Sequence, residues 1–155
     1  MEKPTSVLCL DIDGTITTAE PDTLNHLLQF TNERRPKTDI FINTARPQSY
    51  CDHFWKSTRE FATQEKHKCF NGNIDTNNIT QSVAQSKVRN MDQIYNETKL
   101  MNPNLQKPCH ILIDDMNTNI AEVKKAGYDG ILVDAKTGIS QETINEIKSK
   151  LKYCE

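Results

Sequence analysis

An α/β fold built on a parallel sheet is the architecture that this sequence predicts, and three observations predict it. Short apolar runs alternate with segments of helical spacing along the whole chain. The runs are apolar at consecutive positions, a pattern that requires cover on both faces of a strand. Several of them stop on acidic or hydroxyl residues, as expected of strands whose carboxyl ends gather ligands at one edge of an open sheet.

The first run, Val7 to Leu10, ends abruptly at Asp11, Asp13 and Gly14 in the stretch VLCLDIDGT. Two carboxylates crowded at a strand end call for a cation. Ile16 to Glu20 is a short polar connection, and Pro21 with Asp22 starts a helix carrying Leu24, Leu27, Leu28 and Thr31 at helical spacing. That helix ends before Pro36. Asp39 to Asn43 is the second strand, and it runs straight into Thr44, Ala45, Arg46 and Pro47, a hydroxyl and a cation.

The spacing next predicts a helix from about Pro47 to Phe61, with Tyr50 or Cys51, Phe54, Thr58 and Phe61 lining its core side. His67 to Phe70 is a weak third strand. Asn71 to Ser86, rich in Asn, Thr and Gln, reads as a loop. Lys87 opens a helical pattern of Val88, Met91 and Tyr95 with Ile94 beside it, and Pro103 and Pro108 terminate it. The fourth strand, His110 to Ile113, ends in Asp114 and Asp115, followed by Asn117 and Asn119. A helix through Ile120 and Val123 closes at Gly127, Gly130 to Val133 is the last strand, and Ser140 caps a helix built on Ile144, Ile147 and Leu151. Strands alternating with helices give a parallel sheet of about five strands, and right-handed crossovers put every carboxyl end on one side.

At 155 residues the chain reads as one domain, 1–155, large enough to bury a core. A formal charge of −2 gives no argument for nucleic acid or an anionic membrane, and Arg34, Arg35 and Lys37 read as a solvated basic loop. The start, MEKPTS, lacks the regions of a secretory signal, and no apolar run could span a bilayer. The expectation is therefore a soluble, cytoplasmic protein whose 5 cysteines are reduced thiols, with Cys9, Cys69 and Cys109 serving as small hydrophobes in or beside strands. The N-x-T patterns at Asn78 and Asn96 carry no weight without a secretion route. Cys51, His53, His67 and Cys69 offer a zinc ligand set in principle, but they lack the usual spacings, and the first pair falls in a predicted helix.

The acids and donors fit the chemistry of a phosphate monoester. Asp11 and Asp115, with a backbone carbonyl at Asp13, suit the hard-oxygen preference of Mg2+, which offsets the repulsion between the phosphate dianion and Asp11. Asp11 can then attack phosphorus to form an aspartyl phosphate. Asp13 can protonate the leaving oxygen and later deprotonate the hydrolytic water, a double role that implies a raised pKa. Thr44 and Lys87 can stabilise the transferring phosphoryl group, with Lys68 a rival to Lys87. Arg46 is a candidate substrate contact.

The ordered set DIDGT, Thr44, Lys87 and IDDMNTN resembles the four motifs of the haloacid dehalogenase (HAD) superfamily, over the chain from Val7 to about Val133. The resemblance implies Asp11 as nucleophile, Asp13 as acid/base, Thr44 and Lys87 as the second and third motifs, and Asp115 as the metal-binding acid with Asp114 adjacent. Asn119 stands where many members carry a further acid. Members that cleave carbon–halogen bonds lack the second aspartate, so Asp13 points to phosphoryl transfer. The implied fold is a Rossmann-like three-layer sandwich with strand order 5-4-1-2-3.

Gly14 to Lys37 holds little more than one helix, and Asn71 to Ser86 is too short for a folded insert, so the chain looks like a member without a cap domain. An uncapped site goes with a phosphorylated substrate that is large, or with a neighbouring subunit of a homo-oligomer that covers it. The leading expectation is an Mg2+-dependent phosphatase. A phosphotransferase would want a cap to keep water out. A phosphate-binding signalling module of the receiver type would place its acidic pair first and its phosphorylated Asp later, whereas here the DxD pair leads. A catalytically retired member would be expected to have lost key groups, and all are present.

Overall fold

A computed structural model describes residues 3–53 and 58–155. Five parallel strands, β1 (Ser6–Leu10), β2 (Thr38–Asn43), β3 (His67–Lys68), β4 (His110–Asp114) and β5 (Asp129–Leu132), form one sheet in the order β3-β2-β1-β4-β5. This is the expected 5-4-1-2-3 order read from the other edge. Among the described residues, α1 (Pro21–Arg34), α2 (Gln48–His53), α3 (Ile79–Met101) and α4 (Asn117–Lys125) lie in turn between successive strands, and α5 (Gln141–Leu151) follows β5.

Side-chain alternation along β1 divides the core. Leu8 and Leu10 join Ile40, Ile42, Ile111 and Ile113 under α1, α2 and α5, while Val7 and Cys9 join Phe41 and Leu112 under α3 and α4. Both faces of β1 are thus covered, which is why its run is continuously apolar. Each core side chain of this size contributes about 1.5–3 kcal/mol when buried. The capping box predicted at Ser140 is present: Thr143 N donates to Ser140 Oγ at 3.2 Å, and Ser140 N donates to Thr143 Oγ1 at 3.1 Å. Among the described residues, no helix is long and apolar enough to cross a membrane.

Four sequence expectations need correction. Ile79 to Ser86 is helix, not loop, so Lys87 lies inside α3 instead of opening it. Asn78 caps the helix by accepting from Gln81 N at 3.1 Å. The inward face of this first part is Ser82, Ala84 and Ser86, small or polar, so no apolar stripe marks it. Its hydroxyls instead hold the preceding segment, with Asn71 N donating to Ser86 Oγ and Asp75 N to Ser82 Oγ, both at 2.8 Å.

Of the helix expected from Pro47 to Phe61, the described residues show α2 over Gln48–His53 and, from Thr58 onward, a turn in which Phe61 N donates to Thr58 O at 3.0 Å. Tyr50, Cys51 and Phe61 are core residues as expected, and Phe54 lies outside the described residues. The third strand is only His67–Lys68, because Cys69 turns toward α2.

The cysteines are not all thiols. Cys51 is bonded to Cys69 and Cys109 to Cys154, leaving Cys9 free in the sheet core, where burial pushes its thiol pKa up. The paired residues are 18 and 45 positions apart in sequence, yet the fold brings their Cα atoms to 6.1 and 5.8 Å, within disulfide reach. With Cys51 and Cys69 bonded to each other, the zinc set considered above has lost both its sulfurs.

Candidate active site

The carboxyl ends of β1, β2 and β4 meet at one rim. Asp11 continues the ladder beyond β1, its N donating to Ile113 O at 3.0 Å, and its side chain is buried beneath Lys87 and Thr15. Lys87 is 1% exposed and spends all three ammonium donors inside the protein: on Asp11 Oδ1 at 2.7 Å, Asp114 Oδ2 at 2.9 Å and Asn43 O at 2.6 Å. The rival, Lys68, points away to Glu97 at 2.7 Å.

Lys87 is held in place from α3 and β2. Asn43 Nδ2 donates to Lys87 O at 3.0 Å, and Asn90 Nδ2 donates to Asn43 Oδ1 at 3.0 Å and to Cys69 O at 2.8 Å. Neither asparagine was singled out in the sequence. Asn90 follows Lys87 by three positions on the same helical face, a spacing that could have marked it.

Asp114 is fully buried and takes Lys87 Nζ and Asn119 Nδ2 on Oδ2 and Met116 N on Oδ1. Asn119 thus stands beside the acids as a donor to one of them, while its buried Oδ1 has no partner among the described residues. Asp115 lies against Gly14: a Cβ on that glycine would come within 2.5 Å of Asp115 Oδ2, and its φ of +76° already favours glycine.

Asp11, Asp114 and Asp115 present ligand oxygens all within 4.8 Å of one another. Three carboxylates against one ammonium leave a formal charge of −2. Burial pushes the Asp11 carboxyl up, Lys87 pulls it down and Asp114 pushes it up again, for a net pKa of about 7. Burial also raises Asp115, opposed by its hydrogen bond with Asp11 and helped by Asp114. For Lys87, burial works against the ammonium, but Asp114 and Asp11 outweigh it and its pKa is raised. Carboxylates held above their ordinary range by burial and mutual repulsion, with an unpartnered amide oxygen beside them, fit a hard divalent cation.

Asp13 departs from expectation. Arg46 grips it with two bonds, Nε to Oδ2 at 2.9 Å and Nη2 to Oδ1 at 2.7 Å, and lies over the Tyr50 ring with 4.7 Å to its centroid. Those bonds hold the Asp13 pKa below the usual carboxylate value despite partial burial, where an acid catalyst was expected to be raised. No local pattern marks Arg46, 33 positions away, as its partner.

Thr44 is fully buried at the end of β2, its N donating to Lys68 O at 2.9 Å and its Oγ1 accepting from Arg46 N at 3.1 Å. A further hydroxyl not singled out in the sequence, Thr15 Oγ1, donates to Asp11 Oδ2 at 3.1 Å. The rim therefore brings Asp11, Lys87, Asp114 and Asp115 into one cluster, with Asp13 paired to Arg46 and Thr44 at the end of the adjoining strand.

No family model and no curated protein sequence matches the chain. Solved structures do. An uncharacterised protein from Corynebacterium glutamicum superposes with a TM-score of 0.61 at 15% identity, over 96% of each chain. The HAD domain of the effector protein Lem4 from Legionella pneumophila gives 0.56 at 13% identity, over 99% of this chain and 97% of that one. The core domain of a provisionally named phosphoglycolate phosphatase from Streptococcus pneumoniae gives 0.55 at 12% identity, over 96% and 97%. At these identities the likeness is one of fold.

Proposed function

We propose that this chain, whose fold is that of the haloacid dehalogenase superfamily, is a magnesium-dependent phosphatase that hydrolyses a phosphate monoester through an aspartyl phosphate at Asp11. The observation that carries the reading is Lys87, buried with its charge divided between Asp11 and Asp114, which orients one oxygen of Asp11 while the Thr15 hydroxyl donates to the other. A buried, oriented carboxylate is a competent nucleophile toward phosphorus once the substrate's charge is offset.

Asp11, Asp115 and the Asp13 backbone carbonyl would hold Mg2+, since Asp114 already accepts three hydrogen bonds. When bound, Mg2+ supplies charge neutralisation that lets a dianionic phosphoryl group approach a carboxylate. The Thr44 hydroxyl donates to the phosphoryl oxygens as charge spreads over them, and Lys87 does so by exchanging one of its three protein contacts for a phosphoryl oxygen. Asp11 displaces the ester oxygen, and the carboxyl of Asp13 protonates it as it leaves. Asp13 then takes a proton from the water that hydrolyses the acyl phosphate, which returns Asp11 to its starting state.

Arg46 holds Asp13 ionised in the resting site. A substrate phosphate that draws the guanidinium to its own oxygens frees Asp13 to take up a proton from solvent, which it then gives to the leaving oxygen, so Arg46 serves as a substrate contact in this scheme. Ten residues lie between β1 and α1, and ten between β3 and α3, too few to fold a cap, so the site is read as capless and open.

The test is phosphate release from p-nitrophenyl phosphate and acetyl phosphate with and without magnesium. Asp11→Asn should abolish both turnover and the acid-trapped phosphoenzyme, while Asp13→Asn slows turnover more than it weakens magnesium binding. Wild-type turnover in Asp11→Asn would remove the covalent mechanism.

A further inference from the structure

Beside the rim runs a groove of about 460 Å³ between α2 and α3 along β3, walled chiefly by Gln48, Lys68, Phe70, Asn71, Asn90 and Gln93. It begins next to the proposed acid catalyst: Phe70 N donates to Arg46 O at 2.8 Å, Arg46 grips Asp13, and Gln48 lies two positions beyond Arg46. A leaving group whose oxygen faces Asp13 would therefore have its remainder pointed toward this groove.

The wall is rich in carboxamides and holds no carboxylate among the described residues. Its lysine is neutralised by Glu97 at 2.7 Å, and burial lowers the pKa of His67, which keeps that ring neutral. Asn90 is committed to Asn43 and Cys69 and forms the partition toward Lys87. Gln48 uses its nitrogen on Asp52 at 3.1 Å, which leaves its oxygen as an acceptor. Among the described residues, the carboxamides of Gln93 and Asn71 make no hydrogen bond, so each offers both donors and an acceptor. Phe70 is half-buried and leaves part of its ring toward the groove.

We infer, resting on the phosphatase reading above, that this groove seats the leaving group, and that this group is uncharged and dense in hydrogen-bond donors and acceptors, of the nucleoside or sugar class. Apart from Arg89, whose guanidinium packs against Gly72 at one end and donates to Asn71 O, an acidic leaving group would meet no unpaired cation among the described lining residues, and a hydrocarbon would strip water from amides without replacing their hydrogen bonds. A two-carbon acid would leave most of the volume unfilled. A nucleoside or sugar fills more of it and pairs with carboxamides through hydroxyl and base edges, with Phe70 as a stacking surface.

The experiment compares kcat/KM for adenosine 5′-monophosphate, glucose 6-phosphate, phosphoglycolate and p-nitrophenyl phosphate with magnesium present. Titration of the first two into Asp11→Asn protein reads binding without turnover and separates a base-bearing from a sugar leaving group. The expected result is at least a tenfold preference for adenosine monophosphate or glucose 6-phosphate over phosphoglycolate. Gln48→Leu and Gln93→Leu should each cut that preference several-fold, chiefly through KM, whereas the exposed Gln29→Leu on α1 leaves it unchanged. A preference for phosphoglycolate, or a preference that neither groove variant alters, overturns the inference while turnover of p-nitrophenyl phosphate keeps the phosphatase reading standing. No turnover of any ester and no binding to Asp11→Asn would remove both.

Discussion

Lys87 is the residue on which the candidate site depends, because its ammonium is what permits two carboxylates to be buried beside each other. Removing one partner of a buried charge network typically costs about 3–5 kcal/mol, since the remaining charges lose their compensation. Lys87→Met should accordingly lower the thermal midpoint by on the order of 10 °C in a chain of this size, measured by calorimetry. Adding Asp114→Asn should recover part of the loss, as one of the orphaned charges is then gone. Lys68→Ala, which breaks a pair with the half-exposed Glu97, should cost no more than about 1 kcal/mol. If the two lysine variants lose the same stability, the assignment of Lys87 to the buried network is wrong. Gly14 carries a second prediction. An added methyl there must sit at φ +76° and within 2.5 Å of Asp115 Oδ2, so Gly14→Ala should displace that carboxylate and weaken magnesium binding by about tenfold or more in a calorimetric titration.

The elements were legible in the sequence to the extent that each carries its own signal. β1, β2 and β4 are continuous apolar runs buried on both faces, and α1 and α5 carry an apolar stripe behind a recognisable start, so all five were placed within a residue or two. The first two turns of α3 carry no such stripe, since Ser82 and Ser86 face inward to bind backbone donors of the loop before them. What no local pattern could show was pairing across distance. Arg46 with Asp13 and Cys51 with Cys69 are consequences of strand order, not of spacing. The Cys51–Cys69 link is testable at this scale. It ties α2, which carries Tyr50 under Arg46, to the end of β3, and closing a loop of 18 residues is worth about 3 kcal/mol in the chain-entropy account. Cys51→Ala/Cys69→Ala should therefore lower the midpoint by roughly 6–12 °C. A thiol titration of the denatured, unreduced protein should find one reactive cysteine, and five after reduction.

Across the whole molecule, the strand order sets the chemistry, because β1 lies between β2 and β4 and so has Thr44 on one flank and Asp115 on the other. The same convergence makes the acids mutually repulsive, and that has a consequence for stability against pH. Asp11 is raised from the ordinary aspartate value to about 7, so its contribution is fully present below about pH 4 and is lost as pH rises toward 7. Asp115, also raised, acts in the same direction. The buried His67 and His110 act oppositely, since burial lowers both, and their contribution is lost as pH falls below the ordinary imidazole value. A plain stability curve mixes these terms. The magnesium-dependent part separates them, because a cation at the rim competes with protons only at the carboxylates it touches. The midpoint gain on adding magnesium should be small at pH 5.5, where Asp11 is mostly protonated, and should grow until about pH 8, where a concentration 100-fold above Kd adds about 2.7 kcal/mol. Asp11→Asn removes one titrating ligand and leaves Asp115, so the gain in that variant should be smaller and should depend less steeply on pH across the same range. A gain in the wild-type protein no steeper than that from pH 5.5 to 8 would mean that the cation does not bind at Asp11.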